Sequence, residues 1–490
     1  MDITNENFAS ELPEICETIE SCDFIAIDTE LSGLVRERNN NRLDLPSSRY
    51  SKAITNSRGY FILQFGLSCF TKLDDQRYSN RTYNFYIFPQ PHKTFGDVNR
   101  TLCIQAHAIQ FLSEHNFDFN RLFKHGVSYL TFREKQQLNA NLKAERKTRS
   151  EANFNRDGVP TFVHQGLQLF CKGAIKQVQD FIASSKELLG RSALVPDGVP
   201  IRRISANAES RADDSGPIKV RASERCIDGD QPSTTKTPTL EIHDIGTHSA
   251  RLILIRAIEC LPDADNLWVE TSVDQDTNES YLVVEWVEKE IKKARRKSAL
   301  VAAKGFLEVI ETIVLNKKPL VGHNLLFDIV QMINQFIEEL TDDYSAFKET
   351  CQSLFPLIYD TKYMANCILD PETATINQSR LNDLYCQLRV SKSFPKIQID
   401  HLNFALDQNQ VPHQAGFDAY MSGFSFIVMC ESYLKKRKGS KTAGKSEHKS
   451  VAREPNILRE FSNKIHLCFS QEFNCYNLSG EEKPVDKCET

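Results

Sequence analysis

The stretch Phe24-Ile25-Ala26-Ile27-Asp28-Thr29-Glu30-Leu31-Ser32-Gly33 decides the fold. Its first four residues are continuously apolar, as expected of a strand buried on both faces. Side chains two apart on a strand share a face. Asp28 and Glu30 therefore stand side by side at the end of that strand. Carboxylates so close repel one another unless a cation lies between them.

Two later segments carry matching chemistry. VGHNLLFDIV, residues 321–330, places Asp328 inside an apolar helical pattern, and VPHQAGFDAYMSG, residues 411–423, places His413 five residues before Asp418. Four carboxylates and one histidine are the set required to cleave a phosphodiester with two magnesium ions. Magnesium is a hard cation that takes oxygen ligands and keeps several waters. Two such ions, about 4 Å apart, activate an attacking water and stabilise the leaving oxygen. A histidine, with an ordinary pKa of about 6.5, suits removal of the water's proton. Each motif alone is commonplace: D-x-E occurs on many strands, and most histidines are surface groups or satisfied core residues. His323 and Asp360 read as supports of local backbone rather than ligands. Only the joint occurrence points to a site, and the fold must bring Asp28 and Asp418 together across most of the chain.

DTELSGL (28–34), VGHNLLFD (321–328) and HQAGFDAYMSG (413–423) resemble the three exonuclease motifs of DEDD nucleases, histidine subtype. More narrowly they resemble the poly(A)-specific ribonuclease (PARN) branch, which includes trimmers of small-RNA 3′ ends. FDFNRLFKHGVSYL (117–130), NKKPLVGHN (316–324) and IYDTKYMA (358–365) match that branch in order and spacing, over roughly residues 1–175 and 248–435. The resemblance implies that Asp28, Glu30, Asp328 and Asp418 are ligands for two Mg²⁺ ions and that His413 is the general base. It places Lys362 where the family has an RNA-contacting lysine, and Leu31 and Leu34 where the family contacts the terminal bases. The family often has an aromatic at the first of these two positions, and leucine cannot stack on a base as a ring does.

The resemblance implies an α/β architecture: a ribonuclease-H-like mixed sheet interrupted by a small α/β nucleic-acid-binding-like domain. Strand-like segments Phe24–Asp28, Tyr60–Phe70 and Tyr83–Phe88, then a helix near Ile104–Glu114, fit a mixed sheet with an antiparallel portion. Residues 1–185 and 298–435 are expected to form the nuclease core. Residues 186–246 are rich in Ser, Asp, Thr and Pro and read as a disordered linker. Residues 247–297 read as the degenerate small domain, with LWVETSV and YLVVEWV flanking a turn. Its Lys292, Lys293, Arg295, Arg296 and Lys297 could contact phosphates or form a solvated face. The polar stretch Thr131–Arg156 reads as a helix with a solvated face. ALVAAKGFLEVIETIVL, residues 299–315, reads as one amphipathic helix, interrupted as a membrane span by Lys304, Glu308 and Glu311. Residues 436–490 are expected to be a basic linker and a short remnant, too short for the family's C-terminal RNA-recognition domain.

Composition agrees. With 490 residues, two or three domains are expected. A hydrophobic share of 40% supports a substantial core, and a net charge of −5 leaves room for local basic surfaces. Fourteen cysteines without a C-x-x-C pair argue against zinc and for free thiols in a reducing compartment. The N-terminus lacks a secretory pattern, and no apolar run reaches the ~18 residues of a membrane span. The expected protein is a magnesium-dependent 3′→5′ exoribonuclease, in the nucleus and/or cytoplasm, that acts on single-stranded RNA with a free 3′ end. Poly(A) shortening is the first reading and trimming of small noncoding RNA or piRNA precursors the second. A homodimer is implied by family usage. The rival of another class is a catalytically inactive RNA-binding relative.

Overall fold

The computed structural model describes residues 1–34, 41–74, 76–89, 100–148, 165–190, 201–204, 238–243, 245, 248–274, 279–369, 380–403, 412–438, 458–468, 470 and 472–484. The described strands, in chain order, are β1 (Asp2–Ile3), β2 (Phe24–Leu31), β3 (Ile62–Lys72), β4 (Arg77–Tyr86), β5 (Ile201–Ile204), β6 (Thr239–Ile242), β7 (Leu267–Val273), β8 (Ser280–Trp286), β9 (Leu320–Gly322), β10 (Ile358–Asp360), β11 (Gln398–His401), β12 (Lys464–His466) and β13 (Cys475–Asn477). They form two sheets, in two compact units: residues 1–91, 98–136 and 301–490, and residues 92–97 and 137–300.

The first unit is a mixed sheet in the order β1-β4-β3-β2-β9-β10-β12-β13, with β11 also paired to β4. β2, β3 and β4 are antiparallel neighbours, while β2, β9, β10 and β12 run parallel. β2 is central, which explains its continuous apolar run: Phe24 through Ile27 are all buried. Helix Ala415–Lys438 packs across one face, over β2, β3, β4 and β9. Phe24 stacks on Phe70 at 5.0 Å and meets the helix's Phe426 at 5.1 Å. Elsewhere in this unit, Phe306 joins Phe65, Phe85 and Phe336 at centroid distances of 5.1, 4.9 and 5.3 Å.

Glycine is required at Gly66, which pairs with Asp28 in register. A Cβ there would lie 1.9 Å from the Ala415 carbonyl oxygen, so the start of the long helix sits directly against β3. The sheet also satisfies that helix's first donors. Ala415 N–H donates to Gln64 Oε1 at 2.9 Å, and Gly416 N–H donates to Asn84 Oδ1 at 3.0 Å.

The second unit holds the sheet β5-β6-β8-β7. Helices Gln165–Gly190 and His248–Glu259 pack on it through Ile175, Val178, Leu254 and Ile258, which meet Leu240, Ile242, Leu282 and Val284. This unit is larger than the 247–297 read from sequence. The Gln165 helix, placed by sequence in the nuclease core, turns its apolar stripe to this sheet instead. β5 and β6 fall within the stretch read as linker; β6 alternates Leu240 and Ile242 inward, enough to add a strand. Residues 205–237 lie outside the described residues. The expected β7–β8 hairpin pairing is present, Trp268 opposite Glu285. Of the basic run, Arg295 is tied to Glu285 at 2.5 Å and Lys292 donates to the Ala264 carbonyl at 2.6 Å, so part of it serves the unit's own structure.

Two further differences have clear causes. The helix expected over 299–315 is two helices, Lys289–Lys304 and Leu307–Asn316. They break at Gly305, whose φ is +51° and whose missing Cβ makes room for the Ser128 carbonyl. In the stretch read as a short C-terminal remnant, β12 and β13 extend the nuclease sheet beyond β10. Residues 439–449 of the basic run and the polar residues 149–156 lie outside the described residues.

Asp360 joins these parts. Its carboxylate is fully buried and accepts five backbone N–H groups: Asn324 (3.0 Å), Leu325 (3.2 Å), Lys362 (2.8 Å), Tyr363 (3.3 Å) and His466 (3.0 Å). One acceptor thus caps helix Thr361–Ile368, fixes the loop before Asp328 and holds β12. Asp360→Asn puts an N–H donor among those donors. Denaturant unfolding should show a loss of ~3 kcal/mol or more, whereas exposed Asp342→Asn should be neutral. A midpoint unchanged in Asp360→Asn would refute this central role.

Candidate active site

Asp28, Thr29 and Glu30 end β2, where the strand leaves its regular register after Glu30. Helix Leu326–Met332 carries Asp328 in its first turn, and helix Ala415–Lys438 carries Asp418 in its own. Thr29 Oγ1–H donates to Asp328 Oδ1 at 2.6 Å, tying the first motif to the second across 299 residues. His413 precedes the long helix with φ of +71°, a left-handed backbone uncommon outside glycine. This bend returns its N–H to the Asp418 carboxylate, 3.3 Å from each oxygen.

Ligand atoms of Glu30, His413 and Asp418 lie within 4.8 Å of one another, a group that could hold a metal ion. Glu30 and Asp418 are only 9% and 8% exposed, so little water screens them. Burial raises the Asp28 carboxyl well above its usual range, and Asp418, Asp328 and Glu30 push it further. Glu30 is raised in the same way by burial, Asp418 and Asp328. Asp328 is pushed up to about 6 by burial, against the pull of the Thr29 hydroxyl. Asp418 is pushed up to about 7 by burial, partly offset by the His413 N–H. Without a cation the protonated forms of these acids are favoured relative to an exposed carboxyl; a divalent ion would supply positive charge and favour the ionised forms. The donor set is oxygen-rich with one imidazole, which fits a divalent cation.

His413 is lowered by burial and by neighbouring His115. Its ring lies 4.2 Å from that of His115 and 4.7 Å, edge-on, from that of Phe111. Both neighbours come from helix Ala106–Glu114 and its C-terminal cap. Sequence reading missed them, and Thr29 as well. Their signal is slight: an aromatic and a histidine four apart, which share a helix face.

The structure thus brings Asp28, Glu30, Asp328, His413 and Asp418 into one group. The expected RNA-contacting residues divide. Leu34 is 51% exposed, but Leu31 is 7% exposed and mostly part of the wall. Lys362 donates its backbone N–H to Asp360 at 2.8 Å, and its charge acts on Cys468 and His466. His323 Nδ1 lies 3.0 Å from Thr361 Oγ1, outside the group.

A family model described as CAF1 family ribonuclease matches residues 3–426. The chain belongs to the CAF1 ribonuclease family. It is a 3′–5′ exoribonuclease, the activity of that family, and nucleases of this kind are generally dependent on divalent metal. Among CAF1-type relatives, poly(A)-specific ribonuclease PARN of Xenopus laevis is 28% identical over 98% of this chain and 69% of its own length. The Homo sapiens protein of that name is 27% identical over the same shares. The pre-piRNA 3′-exonuclease trimmer of Bombyx mori is 28% identical over 87% of this chain and 70% of its own.

The raised acids fix the sign of a pH dependence. Native carboxyls with raised pKa bind more protons than the unfolded chain between about pH 4 and 7. Stability in EDTA should therefore fall as pH rises through that window. Added Mg²⁺ or Mn²⁺ should raise the melting temperature more at pH 8 than at pH 5. Melting curves with and without metal test both signs, and a metal effect larger at pH 5 would contradict this account of the site.

Proposed function

We propose that this chain uses two Mg²⁺ ions to remove nucleoside 5′-monophosphates from the 3′ end of single-stranded RNA, with poly(A) tails as the first substrate. The observation that carries the reading is the convergence of Glu30, His413 and Asp418 ligand atoms within 4.8 Å, beside Asp28, on which the charges of Asp418 and Asp328 act. Asp28, Glu30, Asp328 and Asp418 are the residues assigned to hold the ions. Bound there, magnesium supplies Lewis-acid charge and a more acidic water.

The chain's own residues do the rest. His413, lowered by burial, is neutral near pH 7 and accepts the proton of the attacking water at its imidazole nitrogen. Its backbone tie to Asp418 and the rings of Phe111 and His115 hold it in place. Thr29 orients the Asp328 carboxylate. Phe111, 41% exposed beside His413, offers an aromatic face to a terminal base, and Leu34 offers an apolar one.

Trimming of small-RNA precursors is the second reading, favoured by Leu31. A buried leucine at that position offers no ring to stack on adenine, so base choice rests on fewer contacts. Relatives of both kinds match the chain. A homodimer is a further expectation, measurable by sedimentation velocity.

His413→Ala should lower kcat by about 10²- to 10⁴-fold while keeping the thermal stabilisation by Mg²⁺. Normal turnover in that variant would remove His413 from the mechanism. A time course on RNAs tailed with A, U, C or G, with Asp28→Ala as control, should show stepwise magnesium-dependent loss, fastest from A. Equal loss from all four would move the assignment to general trimming. Loss undiminished by Asp28→Ala would remove the proposed site.

A further inference from the structure

The chain segment that carries Asp328 is tied to the strand pair β2–β3 at two points. The first is Thr29, on β2, whose hydroxyl donates to Asp328 Oδ1 at 2.6 Å. The second lies about two helical turns further along. There Gln335 Oε1 accepts the backbone N–H of Ile62, the first residue of β3, at 2.6 Å and across 273 residues. Gln335 is 8% exposed and Ile62 is fully buried. Only the oxygen of an amide can face an N–H donor, which fixes how the Gln335 side chain is turned. A buried N–H left without an acceptor is costly, so the bond is kept.

Ile62 stands where the strand pair is irregular. Glu30 pairs with Gln64 and Leu31 with Ile62, so β3 carries Leu63 as an extra residue at this step. Bulges of this kind re-aim side chains and recur beside active sites. This one comes directly after Glu30, and Gln335 grips it from the other side. The grip is delivered by an uncommon turn. Helix Leu326–Met332 passes into a π-helical turn, Ile333–Ile337, which contains Gln335. Such turns are rare and concentrate at functional sites. Phe336 locks this one in the core, meeting Tyr129 edge-on at 5.0 Å and Phe306 at 5.3 Å. The neighbouring Asn334 makes a different kind of bond. Its Oδ1 accepts the Leu340 N–H at 2.7 Å, a tie within its own stretch of chain.

We propose that Gln335 is a positioning residue for the metal ligands: through Ile62 it fixes Glu30, on the strand pair, relative to Asp328, on the helix. One tie alone leaves the helix a pivot at Thr29. A second tie, on the other strand of the pair, stops it from turning or sliding about that pivot. The inference rests on the metal assignment proposed above. Groups that orient metal ligands are worth roughly 10- to 100-fold in metal affinity. Gln335 acts through backbone rather than on a ligand directly, which places it at the lower end of that range.

The test titrates the full chain with Mn²⁺ alone, without RNA, and reads bound metal by electron paramagnetic resonance. Gln335→Met, similar in shape but with no acceptor oxygen, should bind Mn²⁺ about tenfold more weakly than wild type. Asn334→Leu removes the acceptor of another backbone N–H in the same stretch. It should lower the melting temperature and leave Mn²⁺ affinity unchanged. Gln335→Asn, whose amide falls one methylene short, should shift affinity in the same direction and serves where Gln335→Met does not fold. With magnesium, Gln335→Met should need more metal for half-maximal cleavage, at unchanged KM for RNA. Wild-type Mn²⁺ affinity in the Gln335 variants overturns the proposal. So does an equal loss in Asn334→Leu, which makes the effect one of general stability. A wild-type chain that binds no Mn²⁺ overturns it together with the metal assignment. A wild-type chain that binds Mn²⁺ but cuts no RNA removes the proposed activity, while a weakened Gln335→Met still supports the positioning role.

Discussion

The burial of four carboxyls, Asp28, Glu30, Asp328 and Asp418, in one group is the constraint on which the rest of the molecule depends. Each is raised by burial, and the charges of Asp418 and Asp328 push Asp28 and Glu30 further. Such a cluster works against its own fold in the ionised state. It persists because the scaffold that carries it is over-determined: a central strand with partners on both edges, a long helix packed across four strands and a buried acceptor at Asp360. The same strand and helix that carry the acids are held by core contacts and by Asp360, groups that take no part in the chemistry, a common division of labour at strained sites.

Placement within the cluster depends on small residues and hydrogen bonds. Gly66 lets the Ala415 helix touch the sheet beside Asp28. Gln64 and Asn84 hold the helix's first N–H groups, which sets the depth of Asp418 one turn later. Thr29 does for Asp328 what the His413 N–H does for Asp418: it donates to the carboxylate and lowers the cost of charge. At Asp418 both oxygens face that one donor.

Much of the site was legible because its chemistry is local in sequence. Alternation on a strand put Asp28 and Glu30 together, and the segments around Asp328 and His413 carry enough context to be recognised. Thr29 was not legible, because its role exists only through a partner 299 residues away. Phe111 and His115 gave little more than helical spacing, and nothing in that spacing tells that the face turns to His413. The break at Gly305 was hidden because glycine is tolerated in an apolar helical pattern; the close approach of Ser128 decides it. β12 and β13 have three residues each, too few for periodicity, and they join the sheet through β10 and Asp360 rather than through any local signal. β6 is almost as short and sits in a polar stretch, so composition outweighed it.

The parallel pairing of β10 with β12 also bears on how the chain is made. Tyr359 must find Lys464, and β2 must find β9 across nearly three hundred residues, so loop closure rather than local propensity limits assembly of the nuclease sheet. During synthesis β2, β3 and β4 emerge early as an antiparallel meander with one edge unpaired, the edge later covered by β9. The sheet of residues 201–286 has its partners closer in sequence than β2 and β9 are. The carboxylate group cannot form until the Ala415 helix has left the ribosome. Nuclease capacity therefore arrives late, and a nascent chain exposes an open sheet edge until β9 emerges while carrying no means of cutting RNA.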